Sequence, residues 1–233
     1  MQLLWDGLVE AARILASFEP LVMAATWRSL WVSSVAVTAA ALIGFPVGSL
    51  LARVPFAGRN AVILAARVGM AVPTVFLGVV GYALFSRRGP LGATELLYTP
   101  WAIVAGELLL ALPITISLSH GAIRALDPRV AQTARTLGAD ALQRWWTYLS
   151  EARIGIVLAL LTAFARCVTE LGIAVMVGGN IRGHTRTLST AIALETGKGE
   201  FGRGLAMGIV LLIVALVVTG GIATLARQST ERR

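Results

Sequence analysis

The sequence predicts an all-α membrane protein, with five transmembrane helices preceded by an N-terminal amphipathic interfacial helix. Three observations carry that expectation. Of the 233 residues, 57% are hydrophobic and 14% charged, and the mean hydropathy is +0.79; a soluble domain is about 45–50% apolar and about 25% charged. The apolar residues gather in five runs near the roughly 20 residues that a bilayer crossing needs. Lipid cannot satisfy open backbone groups, so such runs are expected as helices. This composition excludes a disordered chain and argues against a soluble enzyme.

The elements follow in order. Asp6, Glu10, Arg13 and Ser17 recur at helical spacing, and Leu4, Leu8, Ala12 and Leu15 fall on the other side. One polar and one apolar face suit a helix lying in the headgroup plane, ended by Glu19-Pro20. The same charges interrupt any apolar leader core, so a cleavable signal peptide is not expected. Residues 1–20 are assigned to this helix, 21–227 to the membrane domain and 228–233 to a polar cytoplasmic tail. The spans are expected at about Leu30–Ala52, Ala61–Phe85, Trp101–Ser119, Ile154–Val177 and Gly204–Ala226. Four charges lie inside them: Arg67, Glu107, Arg166 and Glu170. At 1.5 Å per residue Arg67 is only about 9 Å from the inner end of its span, within reach of the interface by snorkelling.

The chain carries 20 Lys+Arg against 12 Asp+Glu, a net charge of +8, and Lys198 is its only lysine. In so apolar a chain this excess points to membrane topology or an anionic solute rather than nucleic acid. With the 120–153 segment placed in the cytoplasm, ten cations fall inside and eight outside, so the positive-inside rule barely favours that orientation. One cysteine, Cys167, excludes an intrachain disulfide framework, and His120 and His184 lack ligand spacing, so no metal site is expected.

The connection between spans three and four is amphiphilic. Asp127-Pro128 is a helix-start signal. Val130, Ala134 and Leu137 share a face, Gly138 follows, and a second stretch carries Trp145, Trp146, Tyr148 and Leu149. This reads as a short helix, a glycine break and an aromatic-rich helix at headgroup level. It is either an interfacial loop or a rigid knob for a cytoplasmic partner. Gln132-Thr-Ala-Arg-Thr-Leu-Gly138-Ala139 resembles the E-A-A-x-x-x-G loop of ABC importer permeases, with Gln132 and Thr133 in place of the pattern's Glu and first Ala. The resemblance implies a coupling helix at about 127–139 whose Ala131, Gln132, Thr133, Ala134, Arg135, Leu137, Gly138 and Ala139 contact an ATPase subunit.

A second constellation runs Arg166-Cys-Val-Thr-Glu170-Leu-Gly172, Val177-Gly-Gly-Asn-Ile181, then Thr185-Arg-Thr-Leu-Ser-Thr-Ala-Ile and Lys198-Gly199. Together with Phe45-Pro-Val-Gly48, Gly89-Pro-Leu-Gly92 and Thr99-Pro100, it strongly resembles the tungstate-type permeases of the molybdate/sulfate/tungstate importer branch, from about residue 20 onward. The resemblance implies a type I ABC importer permease (MetI-like) fold and an oxyanion substrate, tungstate first, with molybdate or sulfate as alternatives. It also implies a homodimer working by alternating access in a bacterial or archaeal plasma membrane. The implied partners are two ABC ATPase subunits, an extracytoplasmic substrate-binding protein and the lipid bilayer. No cofactor is expected in this chain; ATP and Mg belong to the partner ATPase. The chain is expected to be non-catalytic, because Glu195-Thr-Gly-Lys-Gly lacks the upstream glycine and following hydroxyl of a phosphate loop.

Arg166 and Glu170 are four residues apart, on one helix face. Charges at membrane depth face protein or a water-filled path. On the same rise Arg166 and Glu170 lie roughly 18 and 24 Å above the inner end of span four, and Glu107 about 10 Å below the outer end of span three. Arg166 is therefore expected to be held by one or both carboxylates. Two readings stand: a translocation pathway, or an ion pair that only fixes packing. In the outer loop 178–203, Gly178, Gly179 and Gly183 permit tight turns and exposed N–H groups that suit an oxyanion. Gly178, Gly179, Asn180, Thr185 and Arg186 are candidate gate residues, against the alternative of a solvated loop whose arginines pair locally. A stand-alone ion-coupled transporter using Arg166, Glu170 and Glu107 is the rival from another class.

Overall fold

A computed structural model describes residues 2–231. The described residues form eleven α-helices: α1 (Gln2–Ala16), α2 (Pro20–Arg53), α3 (Arg59–Gly69), α4 (Thr74–Phe85), α5 (Pro100–Arg124), α6 (Pro128–Thr136), α7 (Ala141–Glu151), α8 (Arg153–Val168), α9 (Gly172–Gly178), α10 (Leu188–Gly197) and α11 (Phe201–Glu231). Three are long and apolar enough to cross a membrane unaided: α2, α5 and the Phe201–Gly221 part of α11.

The other two expected spans are each broken. The Ala61–Phe85 run folds as α3 and α4, bent by 101°, and the Ile154–Val177 run as α8 and α9, bent by 58°. The described residues thus hold three clear spans, or up to five if each bent pair crosses as one. The first break has a local cause. Pro73 lacks an N–H and disfavours helix at the residue before it, and its extended backbone (φ −60°, ψ 127°) starts α4. At the second break the chain passes through Thr169–Leu171, and Thr169 Oγ1 donates back to Ala165 O at 2.9 Å.

The core forms where α2, α5, α8 and α9 meet, around Val32, Ala36, Ile103, Leu110, Ala163 and Ile173. Gly44 and Gly48 let α2 approach α5. A Cβ at Gly44 would meet Thr115 Oγ1, and one at Gly48 would meet Ser119 Oγ. Thr115 Oγ1 in turn donates to Ala40 O at 3.1 Å, across the contact. Small residues that admit a neighbouring backbone and hydroxyls that bridge it are how membrane helices associate without a hydrophobic drive between them.

Helix α1 packs with Gly7 and Ala11 inward against α11, where Gly7 lies under the Phe201 ring and Glu10 lies over Gly202. Of the face expected to be apolar, Leu8 is 47% exposed, while Leu15 packs beside Val22 and Met207. The contact selects small residues because the helices approach closely. The expected polar tail continues α11 as far as Glu231; the remainder of 228–233 lies outside the described residues.

The 178–203 segment, expected as an outer loop, is not simply a loop. It contains α10, which opens on a capping box between Thr187 and Thr190. Residues Thr185–Ala191 are all buried. Leu188 and Ala191 join Val22, Ala25 and Met207 in a second apolar cluster that ties α10 to α2 and α11. A mixed run of Thr, Ser and Ala reads as polar in sequence, yet it can be buried once its hydroxyls are hydrogen-bonded.

Candidate functional site

Three groupings hold the predicted functional residues. The first is the knob after α5. Asp127 caps α6 by accepting from Arg129 N at 2.8 Å, and Gly138 follows with φ +77°, a left-handed conformation that favours glycine. Asp140 and Gln143 then cap α7 reciprocally. Only Ala134 of α6 is buried. Gln132, Thr133, Arg135 and Gly138 are exposed, Ala131 and Ala139 are half-buried, and Leu137, expected on the same face as Ala134, is 80% exposed. The helix is nine residues long, and Leu137 projects beyond its last turn.

Helix α7 is fastened to the bundle where α6 is not. Tyr148 is buried with Ile123, Ala152 and Ile156. The Arg53 guanidinium at the end of α2 lies 4.8 Å over its ring and donates to Ile123 O at 2.9 Å. Trp145 and Trp146 meet edge to face. Ala152 both ends α7 and begins α8, so the knob is continuous with a core helix.

The second grouping is at the α8–α9 break. Arg166 Nη1 donates to Glu170 Oε2 at 3.0 Å, and the two side chains are 44% and 2% exposed. The other carboxylate oxygen, Glu170 Oε1, accepts from Ile173 N at 3.2 Å in the first turn of α9. Glu107 on α5 is buried, and its Oε2 has no hydrogen-bond partner among the described residues. Cys167 Sγ donates to Glu107 O at 3.7 Å. Glu170 therefore holds Arg166, while Glu107 sits among α2, α5, α8 and α9 with no ion pair among the described residues.

The third grouping is the turn after α9. Gly179 (φ +68°) and Asn180 (φ +51°) reverse the chain. Thr185 Oγ1 donates to Gly178 O at 2.5 Å and accepts from Ile181 N at 2.9 Å. Arg186 is buried. Its Nε donates to Asn180 Oδ1 at 3.1 Å, its Nη2 to Asn180 O at 3.3 Å, and its Nη1 lies 3.8 Å from Glu195 Oε1. Gly179 N donates to Val175 O, so the N–H groups of Gly179 and Ile181 point inward in this arrangement. A further residue of this site, which no motif in the sequence marks, is Arg28. Its Nη1 and Nη2 donate to Arg186 O at 2.8 Å and Gly183 O at 2.9 Å. The signal was an arginine within α2's first turns, beside Leu21–Ala25.

Residues 44–230 match the family model described as "Binding-protein-dependent transport system inner membrane component". The chain belongs to that family. It is therefore a multi-pass plasma-membrane component, and its helices are those of a permease. It is similar to the tungstate uptake system permease protein TupB of Peptoclostridium acidaminophilum, 32% identical over 98% of this chain and 100% of that one. TupB of Campylobacter jejuni is 36% identical over 91% of this chain and 89% of that one. The molybdenum transport system permease protein ModB of Escherichia coli K12 is 28% identical over 88% and 94%. In fold it is similar to a chain of the inward-facing MetNI methionine ABC transporter, with TM-score 0.70 and 19% identity over 91% of this chain and 97% of that one.

In this permease all three groupings fall within the family match. The knob, the α8–α9 break and the Gly178–Arg186 turn are linked in one path, since α7 leads through Ala152 into α8 and α9 leads into Gly179.

Proposed function

We propose that the chain is the non-catalytic permease subunit of an ATP-driven oxyanion importer, with tungstate the preferred cargo. The observation that carries the reading is the similarity to tungstate uptake permeases of two species along nearly the whole chain. The permease works as a homodimer with two cytoplasmic ATPase subunits, which hold ATP and Mg, and a binding protein that delivers the anion outside. The 120–153 segment is cytoplasmic. ATP binding draws the ATPases together, and α6 follows them because Leu137, Gln132 and Arg135 stand clear of the bundle. The motion enters the core through α7, which Tyr148 and Arg53 fasten to α2. The Gly178–Arg186 turn forms the outer gate, and α1 lies at the membrane interface.

The test is reconstitution with the cognate ATPase and binding protein in liposomes, with uptake followed by elemental mass detection. ATP-dependent tungstate uptake is the expected result. Preferential molybdate uptake would move the cargo assignment, and uptake without the ATPase would overturn the importer reading. Deleting Ala131–Gly138 should leave ATP hydrolysis uncoupled from import.

A further inference from the structure

The α8–α9 break holds two buried carboxylates and one guanidinium. Glu170 is 2% exposed and uses both oxygens, one on Arg166 and one on the first turn of α9. Glu107 is 3% exposed, lies beside Glu170, and has a buried oxygen with no partner among the described residues. Among the described residues Arg166 is the cation paired with Glu170, and at 44% exposure its side chain reaches the outside of the helix packing while Glu170 stays within it. A buried carboxylate that loses its cation is strongly destabilised, because the remaining charge has neither water nor a partner. The Arg166–Glu170 pair is thus a pin with one end inside the protein and one end at the surface of this chain.

What the pin holds is a pair of half-spans. Gly172 of α9 lies against Val75 of α4, Gly78 of α4 lies against Met176 and Gly172 O, and Gly81 lies against Val177. Contacts this close leave α4 and α9 little room to move relative to each other. Both helices follow a break, at 101° and 58°. The breaks are where their orientation can change, and Glu170 stands in one of them.

We propose that Arg166 exchanges Glu170 for the translocating oxyanion, so that the anion itself releases the α4–α9 block. This rests on the reading of the chain as an oxyanion permease. A tetrahedral oxyanion offers guanidinium the same charge-assisted, two-pronged acceptor as a carboxylate. Once Arg166 has turned to it, Glu170 is left beside Glu107 with no cation, and the capped start of α9 comes undone. Arg166 contacts the anion, and Glu170 is a positioning residue.

The chain carries its own reporter. Cys167, its only cysteine, adjoins Arg166 and is 1% exposed against α5. The experiment measures N-ethylmaleimide labelling of Cys167 by mass spectrometry in the permease–ATPase complex in nanodiscs, with sodium tungstate or sodium chloride of equal ionic strength. Tungstate should speed labelling about tenfold, as local opening exposes the thiol. Glu170→Gln keeps an acceptor for Ile173 N and leaves no buried charge for tungstate to strand, so it should label slowly with or without tungstate. Arg166→Lys should keep a weaker response, and Arg166→Gln none. If the wild-type complex imports tungstate in liposomes yet its labelling ignores the anion, the exchange is overturned and the importer reading stands. A tungstate response that survives Arg166→Gln overturns it equally. If no oxyanion is imported at all, the functional reading falls and the exchange with it.

Discussion

Arg53 stacks its guanidinium 4.8 Å over the ring of Tyr148, joining the C-terminal end of α2 to the helix that follows the knob's glycine. The same side chain donates to Ile123 O, so it also grips the end of α5. A cation over an aromatic ring contributes about 0.5–2 kcal/mol, more as the pair is desolvated. Tyr148→Leu removes the ring while keeping an apolar side chain. We expect it to assemble with the ATPase, to melt a few degrees lower, and to transport less cargo per ATP hydrolysed. With Tyr148 in place, Arg53→Lys should keep part of the coupling and Arg53→Ala least of it. The measurement is the ratio of imported oxyanion to released phosphate.

Leu137 and Ala134 are three residues apart, one 80% and the other 6% exposed. Leu137→Asp should leave the permease as stable as before, because an exposed change is usually within about 0.5 kcal/mol. Its effect should fall on the ATPase. Loss of an apolar anchor at an interface centre costs about 2 kcal/mol or more, roughly 30-fold in Kd. Titration of the ATPase onto nanodisc-embedded permease measures it, and unchanged affinity would remove Leu137 from the contact.

The α2–α5 contact predicts an asymmetric pair of variants. Gly44→Ala places a methyl group on Thr115 Oγ1, and overpacking of this kind costs about 1–3 kcal/mol. Thr115→Ala alone loses the bond to Ala40 O, worth about 0.6 kcal/mol in membrane helices. Combined, they should be less destabilising than the sum, since the second change removes the Oγ1 that the new methyl group meets, leaving Thr115 Cβ as its remaining close neighbour. Thermal unfolding of the four proteins in detergent gives the coupling.

The buried turn after α9 should loosen when its cap is removed. Thr187→Ala deletes the side chain that accepts from Thr190 N and opens α10, at a cost of about 1 kcal/mol. Arg186→Lys should do more, because an ammonium cannot span Asn180 and Glu195 as the planar guanidinium does. Hydrogen exchange over 178–197 should accelerate in both variants while α5 remains protected.

By itself the sequence determined where this chain is apolar, and with that its helical membrane architecture and the helix–glycine–helix form of the segment after α5. Those features are local: hydropathy sets burial in lipid, and Asp127, Pro128 and Gly138 act through their own backbone. The resemblance of its motifs also pointed to the family. Tertiary structure decided what depends on neighbours. Hydropathy cannot register a bend, so the runs 61–85 and 154–177 each read as one span although Pro73 and Thr169–Leu171 break them. Depth arithmetic placed Glu107 and Glu170 at similar heights, but only the rotation of each helix about its axis chose Glu170 for Arg166. Residues 185–191 read as polar until Arg28, Ser29 and Asn180, from elsewhere in the chain, supplied hydrogen-bond partners for Arg186 and the backbone around it. Burial of a polar segment is a property of the partners that meet it, and these lie as far as 159 residues away.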